Sequence, residues 1–171
     1  MIDLRNWIRD VPDFPKPGIL FKDITPLLRD PKALEETMDA LAAPFRGHGV
    51  TTVAGIESRG FIFGSCVARA LGAGFVPIRK PGKLPWTRRR NEYILEYGTD
   101  ALEIHDDALE PDDKVLIVDD VLATGGTACA AAALVRGFHA ELVGVSVLIE
   151  LEFLEPRSKM EGVNVHSLIQ Y

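Results

Sequence analysis

The stretch Val115-Leu116-Ile117-Val118-Asp119-Asp120-Val121-Leu122-Ala123-Thr124-Gly125-Gly126-Thr127 decides how this chain is read. Four apolar residues in a row, three of them β-branched, indicate a buried strand. Two adjacent carboxylates stand at its carboxyl end. A loop of small residues follows, and the Ala-rich run 128–135 has the composition of a helix. In a parallel α/β sheet, ligands bind outside the carboxyl ends of the strands. A Thr/Gly loop that opens a helix offers unpaired backbone N–H groups and the positive end of a dipole, which suits a phosphate. Carboxylates repel phosphate, but they accept hydrogen bonds from vicinal hydroxyls such as those of a ribose. The combination points to a ribose 5-phosphate site.

Working outward, the pattern predicts a short helix at residues 4–9 and an irregular segment rich in Pro and aromatics at 11–26. Asp30-Pro31 places a cap before Pro at the first helical position, and helical spacing continues over 34–45. Strands are expected at 50–56, 75–79, 115–118, 142–151 and 163–168, with helices at 60–71 and from about 126 to 137. Residues 81–103 mix Pro, Gly and charge before the alternating Tyr93-Ile94-Leu95-Glu96-Tyr97, an excursion that ends in a strand. Strands alternating with helices predict parallel β-α units wound into one sheet with helices on both faces.

A chain of 171 residues suffices for one domain with a proper core, and 47% hydrophobic with 26% charged residues fits a soluble globular protein. The net charge of −6 argues against nucleic-acid or anionic-membrane binding, both of which need an extended basic surface. The start, Met1-Ile2-Asp3-Leu4-Arg5, lacks a signal-peptide layout, and no apolar stretch reaches the length of a membrane span. Cys66 and Cys129 make no disulfide framework and are expected as buried thiols in a reduced, cytoplasmic setting. The histidines have no metal-ligand spacing, and no Walker A, G-x-G-x-x-G, HExxH or paired CxxC motif occurs.

Two further segments carry chemistry. Arg79, Lys80, Lys83, Arg88, Arg89 and Arg90 are six cations in twelve residues without an acid, inside an acidic chain. As a flap, such a run neutralises a polyanion and excludes water on closing. Arg88 to Arg90 alone read equally well as a solvated face. Glu57-Ser58-Arg59-Gly60 stands where a strand opens into a helix, so either Glu57 and Ser58 cap the helix or the loop's backbone amides and Arg59 hold an anion.

The 115–127 stretch resembles the phosphoribosyl-diphosphate motif of type I phosphoribosyltransferases. Phe14-Pro15-Lys16-Pro17-Gly18-Ile19-Leu20-Phe21-Lys22-Asp23-Ile24-Thr25, Glu57-Ser58-Arg59-Gly60-Phe61, Arg79-Lys80-Pro81-Gly82-Lys83-Leu84-Pro85, Leu95-Glu96-Tyr97-Gly98 and Ser167-Leu168-Ile169-Gln170-Tyr171 are similar to the adenine-using members of that family, in the family's order. The resemblance implies a doubly wound, mainly parallel α/β sheet of five strands with a small hood, residues 1–171 forming a single domain and about 1–30 contributing to the hood. It implies transfer of ribose 5-phosphate from phosphoribosyl diphosphate to adenine, with Mg²⁺ held mainly by substrate oxygens and water, in a homodimer across which Arg79 or Lys80 serves the neighbouring subunit. Asp119 and Asp120 would take the ribose hydroxyls, and Ala123, Thr124, Gly125, Gly126 and Thr127 the 5′-phosphate. Ser58, Arg59, Arg79, Lys80 and Lys83 would take the pyrophosphate, with the 57–60 loop often held in a non-proline cis peptide. Leu20, Phe21, Lys22 and Leu151 would cup the purine, and Glu96 with Tyr97 would lie at the reacting centre, Glu96 as catalytic residue. The match departs at Lys22, where better-known members carry Arg. Transfer to a 6-oxopurine, and a regulator that keeps the motif only as a sensor, are the competing readings.

Overall fold

The apolar strands of the centre alternate their side chains between two cores. Val53, Leu116, Val118 and Leu148 face one, and Ala54, Ile56, Val115, Ile117, Val145 and Val147 face the other. The computed structural model describes residues 3–95 and 98–171, with the backbone alone at 94, 95 and 98. Along the chain run β1 (Arg9–Pro12), β2 (Leu20–Asp23), α1 (Thr25–Arg29), α2 (Pro31–Ala42), β3 (Thr52–Ile56), α3 (Gly60–Leu71) and β4 (Gly74–Ile78). They are followed by β5 (Arg88–Leu95), β6 (Gly98–His105), β7 (Lys114–Leu122), α4 (Gly126–Arg136), β8 (Glu141–Glu150) and β9 (Val165–Gln170). Short 3-10 turns occupy Leu4–Trp7, Ala43–Phe45, Glu152–Leu154 and Pro156–Lys159.

Five parallel strands form the sheet in the order β4-β3-β7-β8-β9. Chain order reverses between β3 and β7, and that switch point opens a crevice outside their carboxyl ends, where open α/β sheets bind ligands. α2 and α3 pack on one face, burying Met38, Leu41, Phe63 and Val67 with Leu116 and Val118. α4 packs on the other through Ala128, Ala130, Ala131 and Ala132, residues small enough to bring helix and sheet close together. Each fully buried Val, Leu or Ile here contributes about 1.5–3 kcal/mol. Asp30 caps α2 as its sequence predicts, accepting the Ala33 N–H at 2.8 Å with Pro31 at the first helical position.

Four sequence expectations are corrected. The segment expected as irregular contains an antiparallel ribbon, β1 with β2, and the helix α1. The 81–103 excursion is a hairpin, β5 with β6, whose Leu102 and Ile104 are buried against α4. β7 runs on past Val118 to Leu122 because Val121 and Leu122 still pair with Ile149 and Glu150, so the two aspartates lie within the strand's last residues. Cys66 is exposed on α3, whereas Cys129 is partly buried with its Sγ 2.9 Å from the Lys159 carbonyl oxygen, and burial raises that thiol's pKa.

The β1–β2 ribbon forms a hood tied to the end of the chain. Arg5 donates to the Gln170 carbonyl at 3.2 Å. The Lys22 ammonium lies 2.7 Å from Asp10 and 3.7 Å from the centre of the Tyr171 ring.

Candidate functional site

The site grows from the adjacent ends of β3 and β7. Gly60 begins α3 so close to β7 that a Cβ there would stand 2.8 Å from the Val118 carbonyl oxygen and 2.9 Å from Asp119 Oδ1. Only glycine allows this approach, and it packs the first turn of α3 against the Asp119 carboxylate. Burial, and after it the Asp120 charge, push the Asp119 carboxyl well above the usual carboxylate range, against the pull of the Asp120 N–H and Arg59. The Asp120 N–H donates to Asp119 Oδ1 at 2.9 Å. Asp120 is 4% exposed and its carboxylate pairs with Arg59. A carboxyl group held partly against ionisation gains from any donor or cation that approaches it.

Beyond β7, residues 123–127 turn back to open α4. Gly125 sits at φ +79° and no side chain caps the helix. The Cys129 N–H closes the first helical bond onto the Gly125 carbonyl at 2.9 Å. The N–H groups before it have no intrahelical partner and stand at the positive end of the helix dipole. A cavity of about 80 Å³ lies among Asp119, Leu122 and residues 123–128. A wider groove of about 550 Å³ beside Trp7, Arg9 and Arg29 shares no residue with it, so size alone does not locate this site.

Across the crevice, the Glu57–Ser58 peptide is cis. Neither residue caps α3 by its side chain, which corrects the capping reading. Instead the buried Glu57 carboxylate organises the basic loop: it accepts from the Lys80 N–H at 3.0 Å and Arg79 Nε at 3.2 Å, and pairs with Lys83. Burial works to raise its pKa, but Lys83, the Lys80 N–H and Arg79 outweigh burial and hold it below the usual range. The Lys80 ammonium pairs with Asp100 and donates to the Tyr93 hydroxyl at 3.0 Å. Tyr93 also accepts from Thr127 Oγ1 at 3.3 Å, linking the hairpin to the Thr/Gly loop. Arg88, Arg89 and Arg90 are taken up along the hairpin: Arg88 meets Glu103 at 3.0 Å, Arg89 donates to the Gly137 carbonyl at 2.6 Å, and Arg90 meets Glu92 at 2.9 Å.

On the hood side, Phe14 and Phe21 meet edge to face at 5.1 Å, and Leu20 is half exposed. Arg59 lies 5.2 Å from the Phe21 ring centre while paired with Asp120, so it spans from the aspartates to the aromatic cup. The Leu151 N–H donates to the Leu122 carbonyl at 3.0 Å, which fixes this residue at the exit of β8. Lys22 turns to Asp10 and Tyr171. Glu96 and Tyr97 lie outside the described residues. The structure thus brings together the aspartates, the 123–127 loop, Arg59 and Phe21, with Arg79, Lys80 and Lys83 gathered on Glu57 and Asp100. Sequence reasoning missed Asp100 and Tyr93, whose partners Lys80 and Thr127 lie 13 to 34 positions away and leave no local signal.

The phosphoribosyl transferase domain family matches residues 25–167. An adenine phosphoribosyltransferase of Methylococcus capsulatus is 56% identical over 171 residues, 100% of each chain. The crystal structure of adenine phosphoribosyltransferase from Rhodothermus marinus superposes with a TM-score of 0.95 at 53% identity, covering 98% of this chain and 96% of that one. The Saccharomyces cerevisiae adenine phosphoribosyltransferase, solved in complex with an imino-altritol bisphosphate and adenine, gives 0.91 at 42% identity over 96% of both chains.

Proposed function

The chain belongs to the adenine phosphoribosyltransferase family, and we propose that its site transfers ribose 5-phosphate from phosphoribosyl diphosphate to N9 of adenine, releasing AMP and pyrophosphate. The observation that carries this reading is the Asp119-Asp120 pair beside an uncapped helix start at residues 123–127, at the sheet's switch point. The aspartates accept the ribose 2′- and 3′-hydroxyls, and the loop amides with Thr124 and Thr127 hold the 5′-phosphate. Ser58, Arg59, Arg79, Lys80 and Lys83 receive the pyrophosphate, exchanging their contacts with Glu57, Asp100 and Asp120 for substrate oxygens. Phe21 and Leu151 enclose the purine, and the Leu20 backbone reads its exocyclic amine. Lys22 steadies the cup through Asp10 and Tyr171.

The bond from C1′ to the pyrophosphate oxygen breaks with its electron pair leaving on pyrophosphate, and N9 bonds to C1′ from the opposite face. Glu96, with Tyr97 beside it in sequence, takes the proton that the purine loses. Positioning and charge stabilisation supply most of the acceleration. The aspartate pair fits Mg²⁺ of the kind held by one or two carboxylates plus substrate oxygens and water, and the ion would neutralise the diphosphate. Residues 1–171 act as one phosphoribosyltransferase domain with about 1–30 in the hood. The working form is a homodimer in the cytoplasm. Two free cysteines support the reducing compartment, and Ile62 and Trp86, exposed at 41% and 63%, support a partner surface.

Phosphorus NMR of the protein with phosphoribosyl diphosphate, adenine and Mg²⁺ tests the transfer. One AMP and one pyrophosphate should appear per adenine consumed. Ribose 5-phosphate and pyrophosphate without AMP would make the protein a hydrolase.

A further inference from the structure

Resting on the phosphate reading of residues 123–127, we propose that Glu150 and Arg157 are positioning residues for that loop, holding the turn against which Gly125 lies. A Cβ on Gly125 would stand 2.7 Å from the Pro156 carbonyl oxygen and 3.5 Å from Lys159 Cβ. The back of the phosphate loop therefore rests directly on the Pro156–Lys159 turn. This turn is four residues long and is entered through Glu155, a non-glycine residue at φ 48°. Its hold on the sheet is Arg157. Nε and Nη2 reach Glu150 Oε1 and Oε2 at 2.7 and 2.8 Å, and Nη1 reaches the Val165 carbonyl at 3.3 Å.

Glu150 ends β8 at 1% exposure and also accepts from Ser167 Oγ of β9 at 2.6 Å. The clamp thereby fastens the turn to two strands at once. A bidentate guanidinium–carboxylate pair fixes orientation as well as distance, which a lysine does not. A second tether, Cys129 Sγ on the Lys159 carbonyl, joins the turn to the first turn of α4. Backbone amides that bind phosphate can be aimed only by moving the chain that carries them. The pair is neutral overall, so it aims these amides without adding charge for the ligand.

The test compares Arg157→Ala and Arg157→Lys with Thr127→Ala in the loop itself, measuring the Kd of ribose 5-phosphate and both substrate KM values. Arg157→Ala should raise the ribose 5-phosphate Kd and the phosphoribosyl diphosphate KM roughly tenfold, with the adenine KM held within about twofold. Arg157→Lys, which keeps the charge but not the two parallel hydrogen bonds, should recover only part of that loss. A phosphoribosyl diphosphate KM that does not move, or an adenine KM that rises equally, overturns the positioning role. Wild-type ribose 5-phosphate affinity in Thr127→Ala would remove the phosphate reading itself, whereas loss there with an unaffected Arg157→Ala removes only the inference. Should Arg157→Ala fail to fold, Ser167→Ala loosens Glu150 by one hydrogen bond and should show the same split at about two- to threefold.

Discussion

Asp120 pairs with Arg59 in the structure and, under the proposed function, accepts a sugar hydroxyl, so its charge matters more than its shape. Asp120→Asn should lower kcat/KM for phosphoribosyl diphosphate by about ten- to a hundredfold, the range expected for losing a hydrogen bond to a charged group, with the circular dichroism spectrum unchanged. Wild-type kcat/KM would withdraw the ribose clamp. Lys22 acts differently, because its ammonium is engaged by Asp10 and Tyr171. Lys22→Ala should loosen the hood and raise the adenine KM several-fold, about 1 kcal/mol, while the phosphoribosyl diphosphate KM stays put. The reverse pattern in steady-state kinetics would place Lys22 on the anion side. Asp119, Asp120 and residues 123–127 were legible in the sequence because strand, carboxylates and loop are contiguous. Glu57 was not legible as the organiser of Arg79 and Lys83, since its partners are 22 and 26 positions away and meet it only through the pairing of β3 with β4.

The helices α3 and α4 matched their expected ends to within a residue. α3 spans Gly60–Leu71 as read, with Gly72 in the left-handed conformation closing it. The β1–β2 ribbon was hidden because each strand is four residues long and the Pro-rich link between them carries no alternation. The hairpin strand β5 was hidden by its arginines, whose heads find partners on β6 and at the end of α4. The hairpin makes one prediction. Lys83 and Trp86 stand exposed before β5 begins, whereas Arg88 to Arg90 lie in a paired strand. Brief trypsin treatment should therefore cut first after Lys83, and phosphoribosyl diphosphate with Mg²⁺ should protect that bond by drawing the ammonium onto an anion. Equal cleavage with and without substrate would argue against closure. The turn behind the 123–127 loop makes another. Arg157, with Ser167 and Gln170, overcomes burial and lowers the Glu150 pKa from 4.5 to about 2. A depressed carboxylate contributes its stability above the unfolded value and loses it as pH falls towards the folded one. Glu150→Gln should thus be less stable than wild type at pH 7, with the gap in urea midpoint narrowing from about pH 4.5 down to about 2. A gap that stays constant over that window would mean the carboxylate charge is not what holds the turn.

Over the whole molecule, alternating strands and helices announced parallel β-α units, and right-handed crossovers restrict how such units can be ordered. The order β4-β3-β7-β8-β9 is a property of packing, because nothing in the strand sequences says which apolar strand neighbours which. That order is nevertheless what makes the site: it sets the ends of β3 and β7 side by side, so that Glu57 to Gly60 faces Asp119 and Asp120 across one crevice. The hood reaches the same crevice through Arg59 over Phe21. A site that reads an exocyclic amine leaves buried polar groups unpaired against a carbonyl, which penalises 6-oxopurines heavily. The direct measurement is pyrophosphate release with phosphoribosyl diphosphate, Mg²⁺ and each of adenine, hypoxanthine, guanine and xanthine. Adenine should support turnover with kcat/KM exceeding that of every 6-oxopurine by about a hundredfold or more; comparable rates with hypoxanthine or guanine, or no release with adenine, would contradict the account.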